Sequence, residues 1–169
     1  MKLFKKLAAA MLAAALALTM VGCGGRNSLL DQVKNVIADV YAMKDEELTN
    51  KKELDELAAK LVAEADKAAA ENKDKTVLEL LTDEKVVKDA GIDAATETYY
   101  VSAAENYKLL SSTISKEKAM ILAQELADGE NKIIGSGNQK PNSYGLAMGK
   151  INGKEYFVML MNGRPRDRI

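Results

Sequence analysis

Tyr144-Gly145-Leu146-Ala147-Met148-Gly149-Lys150 and Lys154-Glu155-Tyr156-Phe157-Val158-Met159-Leu160-Met161, joined across Asn152-Gly153, decide the fold. An Asn-Gly pair between two strand-like runs predicts a tight hairpin with positive φ at the turn. Successive strand side chains point to opposite faces. Tyr156, Val158 and Leu160 therefore point one way, and Phe157, Met159 and Met161 the other. Both sets are apolar, so this strand needs cover on both sides.

The preceding sequence supplies that cover. Leu29, Leu30, Val33, Ile37, Val40 and Tyr41 recur at helical spacing behind Ser28, an N-cap candidate with Asp31 at the third position. Lys44 to Asn50 is polar and reads as a connection. A second helix is expected over 51–72, with Leu54, Leu57, Ala58, Leu61, Val62 and Ala65 on one face. Thr76 and Glu79 form a capping-box pattern that opens a segment closed by Gly91. Residues 96–103, with Tyr99-Tyr100-Val101, read as a strand. Ser115 is the expected cap of a last helix, carrying Ala119, Ile121, Leu122 and Leu126, that Gly129 stops. The expected fold is α+β: a three-layer α-β-α sandwich with a small, mainly antiparallel sheet and a C-terminal β-hairpin.

The N-terminus carries a different signal. Lys2, Lys5 and Lys6 precede an uncharged, Ala- and Leu-rich run from Leu7 to Val21. A basic start, an apolar stretch and small residues at its end make an export signal. The run is short for a membrane-spanning helix, which needs about 20 apolar residues. Met20-Val21-Gly22-Cys23 resembles the lipobox of bacterial lipoproteins, with Met20 where Leu is usual. On this reading residues 1–22 are a signal peptide. Residues 23–28 are the lipidated Cys23 and a short tether, 29–162 one globular domain, and 163–169 a basic tail. Cys23 is the chain's single Cys, so it has no disulfide partner within it. Acyl chains on it would hold the protein on the outer face of the cytoplasmic membrane or at the cell surface.

Composition removes several function classes. Beyond residue 22 the chain holds 21 basic and 25 acidic residues, a net charge of −4, which gives nucleic acid no footing. Arg164-Pro165-Arg166-Asp167-Arg168 reads as a frayed end. There is no His, so Ser-His and Cys-His nucleophilic pairs cannot form within the chain, and His-containing zinc sites are excluded. No metal site or cofactor is expected. Ser115-x-x-Lys118 lacks the companion motifs of penicillin-binding enzymes and reads as a helix cap. Gly135-Ser136-Gly137 reads as a loop before the hairpin. Glu125, Asp128 and Glu130 lack a calcium-loop pattern and read as a solvated helix end. Met148, Met159 and Met161 read as core.

The order of these elements resembles the CAP superfamily (cysteine-rich secretory, antigen-5 and pathogenesis-related proteins) in its bacterial secreted form, over residues 32–160. Asn35 lies where that family's first helix carries an Asn, and Leu54 to Ala65 resembles its Ala-rich second helix. Ala90-Gly91-Ile92 resembles the helix end before the family's Gly-Glu-Asn motif, which stands here as Ala104-Glu105-Asn106. Ser115 to Ala119 and the closing hairpin resemble the remainder. The resemblance implies a cleft with two His and two acidic residues able to hold a divalent metal. Both His are missing; their places fall near Glu71-Asn72 and near Glu130. The implied domain is thus a CAP-like scaffold without the family's metal or His chemistry.

Two carboxylates, Glu105 and Glu130, remain as catalytic candidates for acid–base work, and Glu105 with Asn106 as binding candidates. The alternative for Glu105 and Asn106 is a structural role, bonding loop backbone. The expected function is a membrane-anchored, non-enzymatic binding protein for a cell-wall component, a small molecule or a protein. A carboxylate-dependent hydrolase acting on a cell-envelope substrate and a purely structural envelope component are the alternatives.

Overall fold

The computed structural model describes residues 29–106, 115–137 and 139–163. The expected signal segment, the expected tether and Ser28 cap, Cys23 and the Arg164–Arg168 tail lie outside the described residues. In chain order the elements are α1 (Leu29–Ala42), β1 (Thr49–Asn50), α2 (Lys52–Ala69), α3 (Val77–Leu81), α4 (Glu84–Asp89), β2 (Tyr99–Glu105), α5 (Ser115–Asp128), β3 (Asn131–Ile134), β4 (Pro141–Ile151) and β5 (Lys154–Gly163).

The hairpin forms as its sequence dictates. Asn152 and Gly153 both take positive φ, 52° and 78°. β4 and β5 pair antiparallel from Ile151↔Lys154 outward, so the turn fixes the register of the whole ribbon. β5 lies between β4 and β2 in a five-stranded sheet of order β1-β4-β5-β2-β3. All pairings are antiparallel except β1 with β4. The sheet is mixed for that reason.

The alternation in β5 separates two cores. Val158 and Leu160 join Val101, Ala147 and Ile151 under α2, α3 and α4. Phe157, Met159 and Met161 join Tyr144 and Leu146 under α1 and α5. Val158, Leu160, Phe157 and Met159 are fully buried. The architecture is therefore α+β in three layers, with one helical group on each face of the sheet.

α2 sits unusually close to β4 because β4 presents Gly145 to it. A Cβ there would lie 2.0 Å from the backbone carbonyl carbon of Leu54 and 2.3 Å from the Asp55 nitrogen. The approach brings Asp55 to the sheet edge. β1 pairs with β4 only at Thr49↔Ser143 and Asn50↔Tyr144, so beyond Tyr144 that edge of β4 has no strand beside it among the described residues. The Leu146 N–H donates instead to Asp55 Oδ1 at 2.7 Å, and Asn50 Nδ2 donates to the same oxygen at 2.9 Å. Lys34 of α1 pairs with Asp55 Oδ2 at 2.6 Å. One largely buried carboxylate thus links both helical layers to the sheet. Tyr144 completes the arrangement by donating its hydroxyl to the Lys34 carbonyl at 3.0 Å. Burial, then the charge of Asp55, push the Tyr144 hydroxyl up to about 12.

Several sequence expectations need adjustment. Residues 76–91 form two short helices. Asp83 caps the second by accepting from the Lys85 and Val86 N–H groups. The Thr76–Glu79 capping box forms as expected, and its Thr76 N–H bond holds the Glu79 carboxyl below its usual range. The strand expected at 96–103 begins only at Tyr99 and runs to Glu105, because Asp93 folds the preceding residues into a turn. β1 and β3 have no strand signature in the sequence.

Candidate functional site

The turn held by Asp93 is where a site begins. Its carboxylate accepts from the Ala95 and Thr96 N–H groups and from the Thr96 hydroxyl, 2.5 Å away. The hydroxyl bond comes first in holding the Asp93 carboxyl below its usual range. The turn delivers Glu97 to the mouth of an open cleft of about 640 Å³ at the end of the sheet where β2 begins and β5 ends. One wall is the start of α2, with Lys51, Glu53, Leu54 and Leu57. The other carries Glu97, Tyr99 and Asn162.

Tyr99 and Asn162 are cross-strand partners. The Tyr99 hydroxyl donates to Glu97 Oε2 at 2.5 Å, and Asn162 Nδ2 donates to the same oxygen at 2.7 Å. Tyr99 is buried in the core and lines the cleft from β2. Burial, then the Glu97 carboxylate, raise the Tyr99 pKa, so Tyr99 stays a donor across the physiological range. On the opposite sheet face, Tyr100 donates to the Gln139 carbonyl at 2.8 Å. Gln139 lines both this cleft and a neighbouring one of about 520 Å³ bounded by Tyr41, Glu46 and Lys140. Lys140 and Glu46 form an ion pair at 3.0 Å across that second cleft. Gly137 N–H bonds the buried Thr98 hydroxyl at 2.8 Å, which ties the Gly135-Ser136-Gly137 loop to the start of β2.

The residues singled out in the sequence lie elsewhere. Glu105 ends β2 opposite Tyr156, at the hairpin end of the sheet, and pairs with Lys154 at 3.3 Å. Asn106 donates its backbone N–H to the Glu155 carbonyl at 2.8 Å and its side-chain amide to the Glu155 carboxylate. Its own Oδ1 is buried without a partner among the described residues. Glu130 is exposed in the turn between α5 and β3; the first residue of β3, Asn131, pairs with Ser102, three positions before Glu105. Neither Glu105 nor Glu130 lines the clefts at the opposite end of the sheet. Glu71 and Asn72 follow α2 on one side of the sheet, whereas Glu130 follows α5 on the other. Asp128 pairs with Lys44 at 2.5 Å. No group of three or more acidic residues placed to hold a metal ion occurs among the described residues.

Sequence reading missed Glu97, Tyr99 and Asn162 as a unit. They are 63 to 65 positions apart from one end of the set to the other, and only the β2–β5 register brings them together. The local signal was Asp93-Ala94-Ala95-Thr96, an Asx-turn pattern just ahead of the strand. No protein family, curated protein or solved structure matches this chain.

Proposed function

We propose that this protein is an exported, lipid-anchored binding protein whose CAP-like scaffold presents the Glu97 cleft away from the membrane. The single observation that carries this reading is the position of the two ends of the domain. Lys34 of α1 is level with Asp55 and Leu146, and Tyr41 reaches Met161, the partner of Tyr144. Beyond the end of α1, Glu46 pairs with Lys140 at the cleft end, and the proposal accordingly places the first residue of α1, Leu29, toward the hairpin. Six residues separate Leu29 from the end of the signal segment, a span of at most about 20 Å. An anchor at Cys23 would hold the hairpin end near the lipid and leave the cleft facing outward.

The scaffold reading draws on the order of helices and strands and on the Ala104-Glu105-Asn106 motif. A binding role is favoured over a hydrolytic one because Glu105 is engaged by Lys154 and the chain has no His. No helix among the described residues is long and apolar enough to cross a membrane. Growth with an alkyne-bearing fatty acid tests the reading. The wild-type chain should carry the label and sediment with membranes. Cys23→Ser should lose the label. Label persisting in Cys23→Ser, or absent from the wild type, contradicts the proposal.

A further inference from the structure

We infer that the cleft is a receptor for a cationic group, an ammonium or guanidinium, with the Glu97 carboxylate as its anchor. The inference deepens the binding role proposed above and is independent of lipidation at Cys23.

Glu97 is fixed but not neutralised. Both bonds to its Oε2 come from uncharged donors on adjacent strands, Tyr99 and Asn162. Its other oxygen, Oε1, accepts no hydrogen bond among the described residues. No Lys or Arg among them lies within ion-pair distance of Glu97; every other charge pair recorded at this end of the sheet is made by different residues. A carboxylate held this way has already lost side-chain freedom, so binding a cation costs little further ordering. A charge-assisted bond to it is stronger than a neutral one. Glu53 lies on the facing wall and Lys51 beside it, so the lining carries two negative charges against one positive. Leu54 and Leu57 add apolar surface for the aliphatic stem that an amine or guanidinium carries. The cleft volume falls within the few hundred to about 1,000 Å³ typical of small-molecule sites.

Two sources could supply the cation: a separate small ligand, or this chain's own Arg164, Arg166 and Arg168, which follow Gly163 on the cleft rim. The probe is L-arginine amide with its α-amine acetylated, so that the guanidinium is its one charge, titrated into the full chain in detergent and followed by the backbone amide resonances of Glu97, Tyr99 and Asn162. Citrulline amide, acetylated at the same position and therefore neutral, is the control. Arginine amide should shift these resonances and citrulline amide should not. Glu97→Gln, which keeps the shape of the side chain, should weaken binding about tenfold, the scale of a charged hydrogen bond. Lys51→Gln should tighten it. Repeating the titration with Arg164, Arg166 and Arg168 all changed to Ala separates the sources. Tighter binding there assigns the resident cation to the tail, and unchanged binding assigns the site to an external ligand; both retain Glu97 as the receptor. The inference is overturned if arginine amide and citrulline amide behave alike. It is equally overturned if Glu97→Gln, with an unchanged thermal midpoint, binds as the wild type does. A wild-type chain that carries no fatty-acid label yet binds arginine amide would sink the anchor alone and leave the cleft intact.

Discussion

Asp55 shows how much one side chain carries in this fold. It stands in for a missing strand partner at Leu146 and meets Lys34 across the sheet edge. Asp55→Ala would leave a buried N–H and a largely buried ammonium without partners. We expect a loss of about 3 kcal/mol in urea unfolding, the scale of breaking a buried pair. Adding Lys34→Met should recover part of that loss, because the orphaned charge is then gone. Tyr144 sets a pH dependence. An unfolded tyrosine ionises near 10, whereas folded Tyr144 keeps its proton to about 12. Stability is thus full below pH 10 and falls as pH climbs from 10 toward 12, since ionisation favours the unfolded chain. Tyr144→Phe should lessen that alkaline decline in thermal melts, leaving the share that Tyr99 contributes. Its cost at neutral pH should be about 1 kcal/mol, for the lost bond to the Lys34 carbonyl. None of these partnerships was legible in sequence. Asp55 sits beside the apolar face of α2, where a carboxylate reads as solvated, and its acceptor role depends on a residue 91 positions away.

At the scale of elements, legibility followed length and periodicity. The hairpin, α1, α2 and α5 announced themselves through alternation, helical spacing, Asn-Gly and Gly129. β1 and β3, with two and four residues, are too short to show a period, and pairing with longer neighbours makes them strands. The division of 76–91 into two helices turns on Asp83, whose carboxylate caps the second helix and is held below its usual range first by Lys75. The seat of α2 on β4 makes the clearest prediction. Gly145→Ala forces a Cβ into the backbone of Leu54 and Asp55, which cannot move without the helix. A loss of about 3 kcal/mol is expected, at the upper end of ordinary overpacking. Chemical denaturation measures it; a change under about 0.5 kcal/mol, the ordinary surface range, would mean that α2 is not so tightly seated.

The whole molecule has two unlike ends. The hairpin end carries the Asn152-Gly153 turn and the end of β2, and the other end carries the two clefts. The candidates drawn from the sequence, Glu105 and Asn106, fall at the first end, and the site that the structure assembles falls at the second. Glu97 stands just before β2 and Glu105 ends it, so the length of that strand separates them, but which end assembles a site depends on the β2–β5 register, which the sequence does not show. The proposed anchor beside the hairpin predicts unequal access when the protein is membrane-bound. A membrane-impermeant amine reagent should modify Lys140, on the cleft side, faster than Lys150 beside the hairpin, and detergent should abolish the difference. The intact mass of the protein extracted from membranes tests lipid attachment at Cys23 without an intermediary. The chain is expected to begin at Cys23, shortened by 22 residues and heavier by a diacylglyceryl group on the sulfur. A chain with an unmodified Cys23 thiol, or one cut at another position, would contradict it.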